Sequence, residues 1–251
     1  MWLSSYIRRG EGNHSLKAAS STTLEEAHAL LKHCVLFRNL GEHERAALVA
    51  RAHMRSYAAG DNIFLMGSQH DSMMAVLRGD VKISIPSAAG KEVVLAVLHS
   101  GDVFGEIAML DGKKRSADAN ALTACDLAVL HRRDVLAALE NNPAAWMGLV
   151  EVLCRRLRRS DQHLVELALL EVPGRVAKAL LRAVDGERQS FARPSPDFRL
   201  SQRELGNMVG ATRESVNKCL QEWQRDGVIR MRRGVISISD RSALEALAEQ
   251  D

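Results

Sequence analysis

Apolar residues between positions 57 and 130 occur in short runs and not at helical spacing. The runs predict strands at residues 62–66, 73–77, 81–85, 93–98 and 127–130. Turn-forming glycines recur every eleven residues along this stretch, at Gly79, Gly90, Gly101 and Gly112. Strands at this spacing are typical of antiparallel sandwiches and barrels. We therefore predict an antiparallel β jelly-roll barrel over residues 23–141, in a chain of the α+β class.

The N-terminal part of the chain has a different pattern. Residues 1–22 are rich in Ser, Gly, Arg and Ala and show no apolar period, which predicts a mobile tail. Between residues 24 and 52 apolar residues recur at helical spacing, with an interruption at Asn39-Leu40-Gly41. This pattern predicts two short helices ahead of the strands.

A long helical pattern follows the strands, over residues 142–171. One set of positions along this helix, alternately four and three residues apart, is predicted to form a seam where two helices meet. These positions are Trp146, Val150, Leu153, Leu157, Ser160, Leu164 and Leu167. A seam of about three heptads predicts a parallel homodimer. The alternative is one amphipathic helix packed on its own barrel, although the opposite face is strongly polar. Val172-Pro173-Gly174 then interrupts the pattern and predicts a hinge, after which residues 172–251 form a second domain.

The second domain contains a helix-turn-helix pattern. Ser201 and Glu204 form a capping box that predicts a helix from Gln202. Gly210 predicts a tight turn, and Thr212 can cap a second helix. Two β-rich runs, at residues 228–231 and 235–238, predict a β-hairpin wing after the second helix. The combination indicates a winged helix-turn-helix that reads DNA.

Polar side chains at the start of the second helix suit the edges of bases in a major groove. These are Arg213, Glu214, Asn217 and Lys218. Phosphate contacts are expected from Arg203, Arg232 and Arg233, and the predicted DNA-binding set also includes Ser201, Gln202 and Thr212. The alternative is that Arg213 and Glu214 form an ordinary solvated helix start.

Composition restricts the function only slightly. A formal charge of +3 and a pI near 8.8 permit nucleic-acid binding without requiring it. The cysteines are scattered, with no C-x-x-C pair, so neither a disulfide framework nor a zinc site is indicated. No stretch approaches the roughly 20 apolar residues of a membrane span, and residues 1–21 lack the apolar core of a signal peptide. We expect a cytoplasmic protein with no membrane partner.

Two segments of the predicted barrel offer the groups that a ribose cyclic phosphate needs. They are Gly105-Glu106-Ile107-Ala108 and Arg115-Ser116-Ala117. A carboxylate can accept from the ribose 2′-OH, a guanidinium can pair with the phosphate, and a hydroxyl with nearby backbone N–H groups can complete the anion site. Taken alone, a glutamate nine residues before an arginine is more simply an ordinary salt bridge.

The chain resembles the bacterial Crp/Fnr regulators from about residue 30 to 240, and within them the branch that binds cyclic AMP. The matching segments are Gly101-Asp102-Val103-Phe104-Gly105-Glu106, Arg115-Ser116-Ala117 and, in the recognition helix, Arg213-Glu214-Ser215-Val216. The resemblance implies that Glu106 holds the ribose and that Arg115 and Ser116 hold the phosphate. It also implies that Ser160 and Asp161 contact the purine across the dimer seam.

The same resemblance implies a homodimeric transcription regulator. Its allosteric ligand would be 3′,5′-cyclic AMP, with cyclic GMP as the second choice. Ligand binding would favour binding to palindromic double-stranded promoter DNA, and RNA polymerase would be a further partner. Two departures matter. Asp161 stands where a hydroxyl residue is usual, and a carboxylate suits the paired donors of guanine. Lys218 stands where the recognition helix has Arg, so the inner operator bases would be read less strictly.

Other functions fit the sequence less well. An enzyme is not expected, because the site lacks a metal-ligand cluster, a nucleophile–base pair and paired acids; no metal cofactor is expected either. The oxygen-sensing branch uses an N-terminal cysteine cluster, whereas Cys34 stands alone here. A haem sensor using His99 and His131, a regulator of another small ligand or of a redox signal, and a ligand-free DNA-binding protein remain alternatives.

Overall fold

The computed structural model describes residues 28–249 apart from 30, 33, 35, 88–91, 141, 186–196, 199–200 and 233–234. The predicted tail at residues 1–22 therefore lies outside the described residues. So does Arg233 at the predicted tip of the wing. Among the described residues, no helix is long and apolar enough to cross a membrane.

The barrel in the described part of the chain is formed by β1 (His53–Tyr57), β2 (Asn62–Phe64), β3 (Ser72–Arg78), β4 (Val81–Pro86), β5 (Glu92–Leu98), β6 (Val103–Phe104), β7 (Asp118–Ala121) and β8 (Cys125–His131). These strands form two four-stranded antiparallel sheets, with the orders β1-β8-β3-β6 and β2-β7-β4-β5. The predicted antiparallel barrel is confirmed. The sequence did not reveal β1, β6 and β7, because they are polar, very short or poor in β-branched residues.

The central strand β3 explains why part of the barrel has an almost continuous apolar sequence. Met74 and Val76 pack between the two sheets, whereas Met73, Ala75 and Leu77 pack on the opposite face. That second face is covered by helices α1 (Glu42–Ala50) and α3 (Arg132–Glu140) and by the start of α4 (Pro143–Leu169). Both faces of β3 are therefore buried, so its side chains do not alternate between apolar and polar.

The long helix α4 begins at an N-cap, where the Asn142 side chain accepts from the Ala145 backbone N–H at 3.0 Å. One face of α4 is buried at Ala145, Gly148, Leu149 and Val152, and Ala145 and Leu149 belong to the core that the helix shares with the barrel. The predicted heptad seam lies on another face, where Leu157 is 63% and Leu164 is 64% exposed. The single-chain alternative accounts for the first face only, because the seam side chains Val150, Leu157 and Leu164 remain exposed within the described chain.

The break between the two helices lies two residues before the predicted hinge, and the second helix begins at Val172, the predicted first residue of the second domain. The helix α4 ends at Leu169, Leu170 is extended, and helix α5 (Val172–Asp185) already contains Pro173 and Gly174 in its first turn. The prediction that Val172-Pro173-Gly174 breaks the helix was therefore wrong. Proline has no N–H to donate, and the first turn of a helix is where that loss has no cost. The break lies at Leu170 and Glu171.

The C-terminal unit comprises α5, α6 (Gln202–Val209), α7 (Arg213–Arg225), α8 (Arg241–Ala248) and a three-stranded sheet. The sheet has the order β10-β11-β9, from β9 (Asp197–Phe198), β10 (Ile229–Arg232) and β11 (Val235–Ile238). Its core includes Leu205, Val216, Leu220, Trp223 and Ile236. The predicted winged helix-turn-helix is confirmed, with β9 as a strand that its two residues could not reveal.

Candidate functional site

Gly105 sets the geometry of the first candidate site. It lies between β6 and the short helix α2 (Glu106–Asp111), with a positive φ of 78°. A Cβ at this position would overlap Nη1 of Arg115, so only glycine fits. The turn brings Glu106 and Arg115 into the same part of the barrel.

Glu106 is completely buried. Its Oε1 accepts a hydrogen bond from Nη1 of Arg156 in α4 at 2.6 Å, and its Oε2 has no hydrogen-bond partner among the described residues. Arg156 also donates from Nη2 to the Val103 carbonyl at 2.5 Å. The sequence placed Arg156 in the dimer helix without a role. A signal was present, because Arg156 lies one helical turn before Ser160, on the same face of α4.

Arg115 is nearly as buried as Glu106, with 2% of its surface exposed. It donates from Nη1 to the Gly105 carbonyl at 2.8 Å and from Nη2 to Oγ of Ser72 at 3.3 Å. Its guanidinium lies 4.3 Å from the centroid of the Phe64 ring, and in the described part of the chain its Nε has no hydrogen-bond partner. Burial lowers the pKa of Arg115 from its ordinary value, and nearby Glu106 acts in the opposite direction. An arginine nevertheless stays charged in a protein.

A cavity of about 1310 Å³ opens in front of these two residues. Its wall includes all seven predicted residues of the two barrel segments, and α4 contributes Arg156, Arg159, Ser160 and His163. Asp161 is exposed and does not line the cavity of its own chain. The DNA-reading unit also reaches the cavity, through Arg182, Glu204 and Met208.

The two histidines considered as haem ligands have other contacts. Nδ1 of His99 lies 2.6 Å from Oδ1 of Asp80, and Nδ1 of His131 lies 3.7 Å from Oδ1 of Asp71. His131 also stacks edge-on against His53. Within the described ranges, no group of three or more His, Cys, Asp or Glu residues is placed to hold a metal ion.

The DNA-reading motif has the caps that its sequence predicts. The Ser201 Oγ accepts from the Glu204 backbone N–H at 3.2 Å, and the Ser201 backbone N–H donates to Oε2 of Glu204 at 2.8 Å. Thr212 Oγ1 accepts from the Ser215 backbone N–H at 3.1 Å. Gly206 was not singled out from the sequence, yet a Cβ there would lie 2.8 Å from the Ala211 carbonyl. The close approach of α6 to the turn therefore requires glycine at this position.

The predicted base-reading residues differ in exposure. Arg213, Glu214 and Lys218 are exposed on α7, whereas Asn217 is half-buried and accepts from Nε2 of Gln202 at 2.9 Å. Of the other predicted DNA contacts within the described chain, Gln202 is half-buried. The rest are exposed, namely Ser201, Arg203, Thr212 and Arg232. The motif thus presents a cationic, solvent-facing helix start.

The barrel, the long helix and the winged helix-turn-helix together define a ligand-binding transcription regulator. Residues 54–142 match the cyclic nucleotide-binding domain, and residues 174–247 match the Crp-like helix-turn-helix domain. The chain belongs to the Crp/Fnr family, whose members are DNA-binding transcription regulators and not enzymes.

Two relatives and one solved structure illustrate the match. The chain is 33% identical over 218 residues to the cyclic AMP receptor protein of Thermus thermophilus, covering 87% of this chain and 98% of that protein. It is 31% identical over 218 residues to the CRP-like cAMP-activated global transcriptional regulator of Mycobacterium tuberculosis, covering 86% and 96%. A CRP/FNR-family transcriptional regulator from Thermus thermophilus has a similar structure, with a TM-score of 0.65, 29% identity and coverage of 79% and 99%.

Proposed function

We propose that this protein is a cyclic-nucleotide-responsive regulator and that cyclic AMP is its preferred ligand. The observation that carries the proposal is the buried Glu106 carboxylate, of which one oxygen is paired with Arg156 and the other has no hydrogen-bond partner within the described ranges. A buried acceptor without a donor is unfavourable. The ribose 2′-OH of a nucleotide would supply that donor.

The phosphate of the ligand would bind beside Arg115 and Ser116. The Arg115 guanidinium is held in place by Gly105, Ser72 and the Phe64 ring, and its Nε is unsatisfied. A preorganised guanidinium loses little side-chain entropy when it binds an anion. The names of the relatives support cyclic AMP as the ligand, because both contain cyclic AMP or cAMP.

The base would lie against α4. Ser160 lines the cavity, whereas Asp161 is exposed one position further around the helix. In a parallel dimer joined through the heptad seam, Asp161 would serve the site of the neighbouring protomer. A carboxylate at that position would also accept hydrogen bonds from N1–H and the 2-amino group of guanine, so cyclic GMP is the alternative ligand for the same site.

The proposed regulator acts as a homodimer. The seam residues Trp146, Val150, Leu157 and Leu164 are each between 39% and 64% exposed in the single chain, and a second helix would bury them. A twofold-symmetric dimer would place two copies of α7 about 34 Å apart, in successive major grooves of a palindromic site. Promoter DNA, RNA polymerase as a further partner and a cytoplasmic location belong to the same proposal.

The test is calorimetric titration of the purified protein with cyclic AMP and with cyclic GMP. The titrations are repeated with a palindromic operator that the wild-type protein has selected from randomised DNA. We expect one nucleotide per protomer and tighter operator binding in its presence. Arg115→Leu should remain a folded dimer by sedimentation and show no nucleotide binding. Wild-type protein that binds operator equally well with and without either nucleotide contradicts the proposal.

A further inference from the structure

One polar contact joins the barrel to the DNA-reading unit. Asn207 in α6 donates from Nδ2 to Oε2 of Glu92 in β5 at 3.2 Å. The helix α6 packs against β5 at this place. The neighbouring residues Met208 in α6 and Val93 in β5 both line the ligand cavity. The contact therefore borders the proposed nucleotide site.

Glu92 is fixed from the barrel side by Lys82. The Lys82 Nζ lies 2.7 Å from Oε1 and 2.9 Å from Oε2, and the two side chains are 15% and 26% exposed. Burial raises the pKa of Glu92, but the hydrogen bond from Lys82, the nearby Ser84 side chain, the charge of Lys82 and, least of all, Asn207 bring this pKa below its ordinary value. The carboxylate is therefore ionised at neutral pH and offers Asn207 a charged, positioned acceptor.

Asn207 lies on the side of α6 that is proposed to face DNA. Arg203, a proposed phosphate contact, precedes it by four residues, and residues at that spacing share a helix face. The same helix contacts the recognition helix α7 through the hydrogen bond from Gln202 to Asn217. Asn207 lies about one helical turn from Arg203, and in the docked arrangement it is in contact with Glu92 of β5. The barrel therefore occupies part of the helix face that a phosphate backbone would approach at Arg203.

We propose that Glu92 and Asn207 are positioning residues that hold the DNA-reading unit against the barrel in the DNA-free protein. This inference rests on the proposed function. The docked arrangement competes with DNA, and its free energy sets how strongly DNA binding is suppressed without nucleotide. A ligand beside β5 and α6 shifts the equilibrium only by its different affinity for the docked and released arrangements.

The test measures operator affinity by fluorescence anisotropy, with the operator selected by the wild-type protein. Asn207→Ala should raise the DNA affinity of nucleotide-free protein about three- to tenfold, because one hydrogen bond to a charged group is lost from the docked state. The affinity at saturating cyclic AMP should change less than about twofold, so the ratio between the two affinities falls. A purely structural role would instead weaken both affinities together.

A double-mutant cycle assigns the effect to the contact itself. Glu92→Ala should also raise the DNA affinity of the nucleotide-free protein. The DNA affinity of the double variant, Glu92→Ala with Asn207→Ala, should exceed that of either single variant by no more than about twofold. The matched control is Gln224→Ala, which removes an exposed amide on α7 and should leave both affinities unchanged. The proposal is overturned if Asn207→Ala leaves the operator affinity of the nucleotide-free protein unchanged or lowers it. It is also overturned if the effects of the two substitutions on this affinity are fully additive. A wild-type protein without any nucleotide response counts against the proposed function instead.

Discussion

Glu106 and Arg115 at the cavity of the barrel are almost completely buried, whereas Glu214 and Arg213 on the second helix of the helix-turn-helix are exposed. The same two residue types are thus proposed to act in two environments. The buried pair is held by Arg156, Gly105 and Ser72, and each side chain keeps one atom without a hydrogen-bond partner among the described residues. A small ligand can be recognised by a few such atoms, because a low dielectric strengthens each interaction.

The exposed residues are proposed to bind DNA in a different way. Contacts between cations and DNA phosphates release counterions, so they contribute to affinity even from a solvated surface. Specificity then depends on a few side chains that can reach base edges. Substitutions in the cavity should therefore have large effects that depend little on salt. Substitutions on the DNA-reading surface should have smaller, salt-dependent effects.

The largest effect is expected for Glu106→Ala. Nucleotide affinity should fall more than about 100-fold, and the free energy of unfolding should fall by about 3 kcal/mol, since Arg156 is left without its buried partner. Calorimetry and urea unfolding measure the two quantities. Glu151→Ala is the control, because this residue also pairs with arginines, Arg38 and Arg155, but is 40% exposed. Glu151→Ala should lower the free energy of unfolding by at most about 1 kcal/mol and leave nucleotide binding intact.

Arg213→Ala should lower specific operator affinity by about 1–3 kcal/mol, because one bidentate contact to a guanine is lost. The preference at a single base of each half-site should relax, while affinity for non-specific DNA changes little. Competition binding with single-base operator variants measures this. An unchanged preference at every position would remove Arg213 from base recognition.

Arg232→Ala should have a smaller and less selective effect. This residue ends β10 in the wing and is exposed, so it is expected to contact a phosphate. Specific and non-specific affinity should fall by similar factors, and the slope of log affinity against log salt should decrease by about 1. A loss confined to the specific operator would contradict a phosphate role.

The smallest effect is expected for Asp161→Ser, which tests the base subsite. Nucleotide binding should persist, because Glu106 and Arg115 are untouched, but the affinity for cyclic GMP relative to cyclic AMP should fall by up to about tenfold. Calorimetry with both nucleotides provides the ratio. If the ratio is the same in both proteins, Asp161 does not read the base.

Local patterns in the sequence predicted the elements that depend on neighbouring residues. The capping box at Ser201 and Glu204, the cap at Thr212 and the turn at Gly210 all occur as expected. Such features depend on hydrogen bonds that span three or four residues, so a short window of sequence contains all the groups involved. Pro173 shows the limit of a local rule, because proline is found both just after a helix and in the first turn of the next one.

Contacts between distant segments were decided only by the tertiary structure. Arg156 and Glu106 are separated by 50 residues, and Asn207 and Glu92 by 115, so no periodicity in the sequence links them. The heptad pattern identified the apolar seam of α4, but not the separate face at Ala145 and Leu149 that packs on the barrel. The sequence alone therefore determined the order of the domains and the residue types of both proposed sites. Which side chains are buried, paired or left unsatisfied depends on how the elements pack, and packing brings together groups that are far apart in the chain.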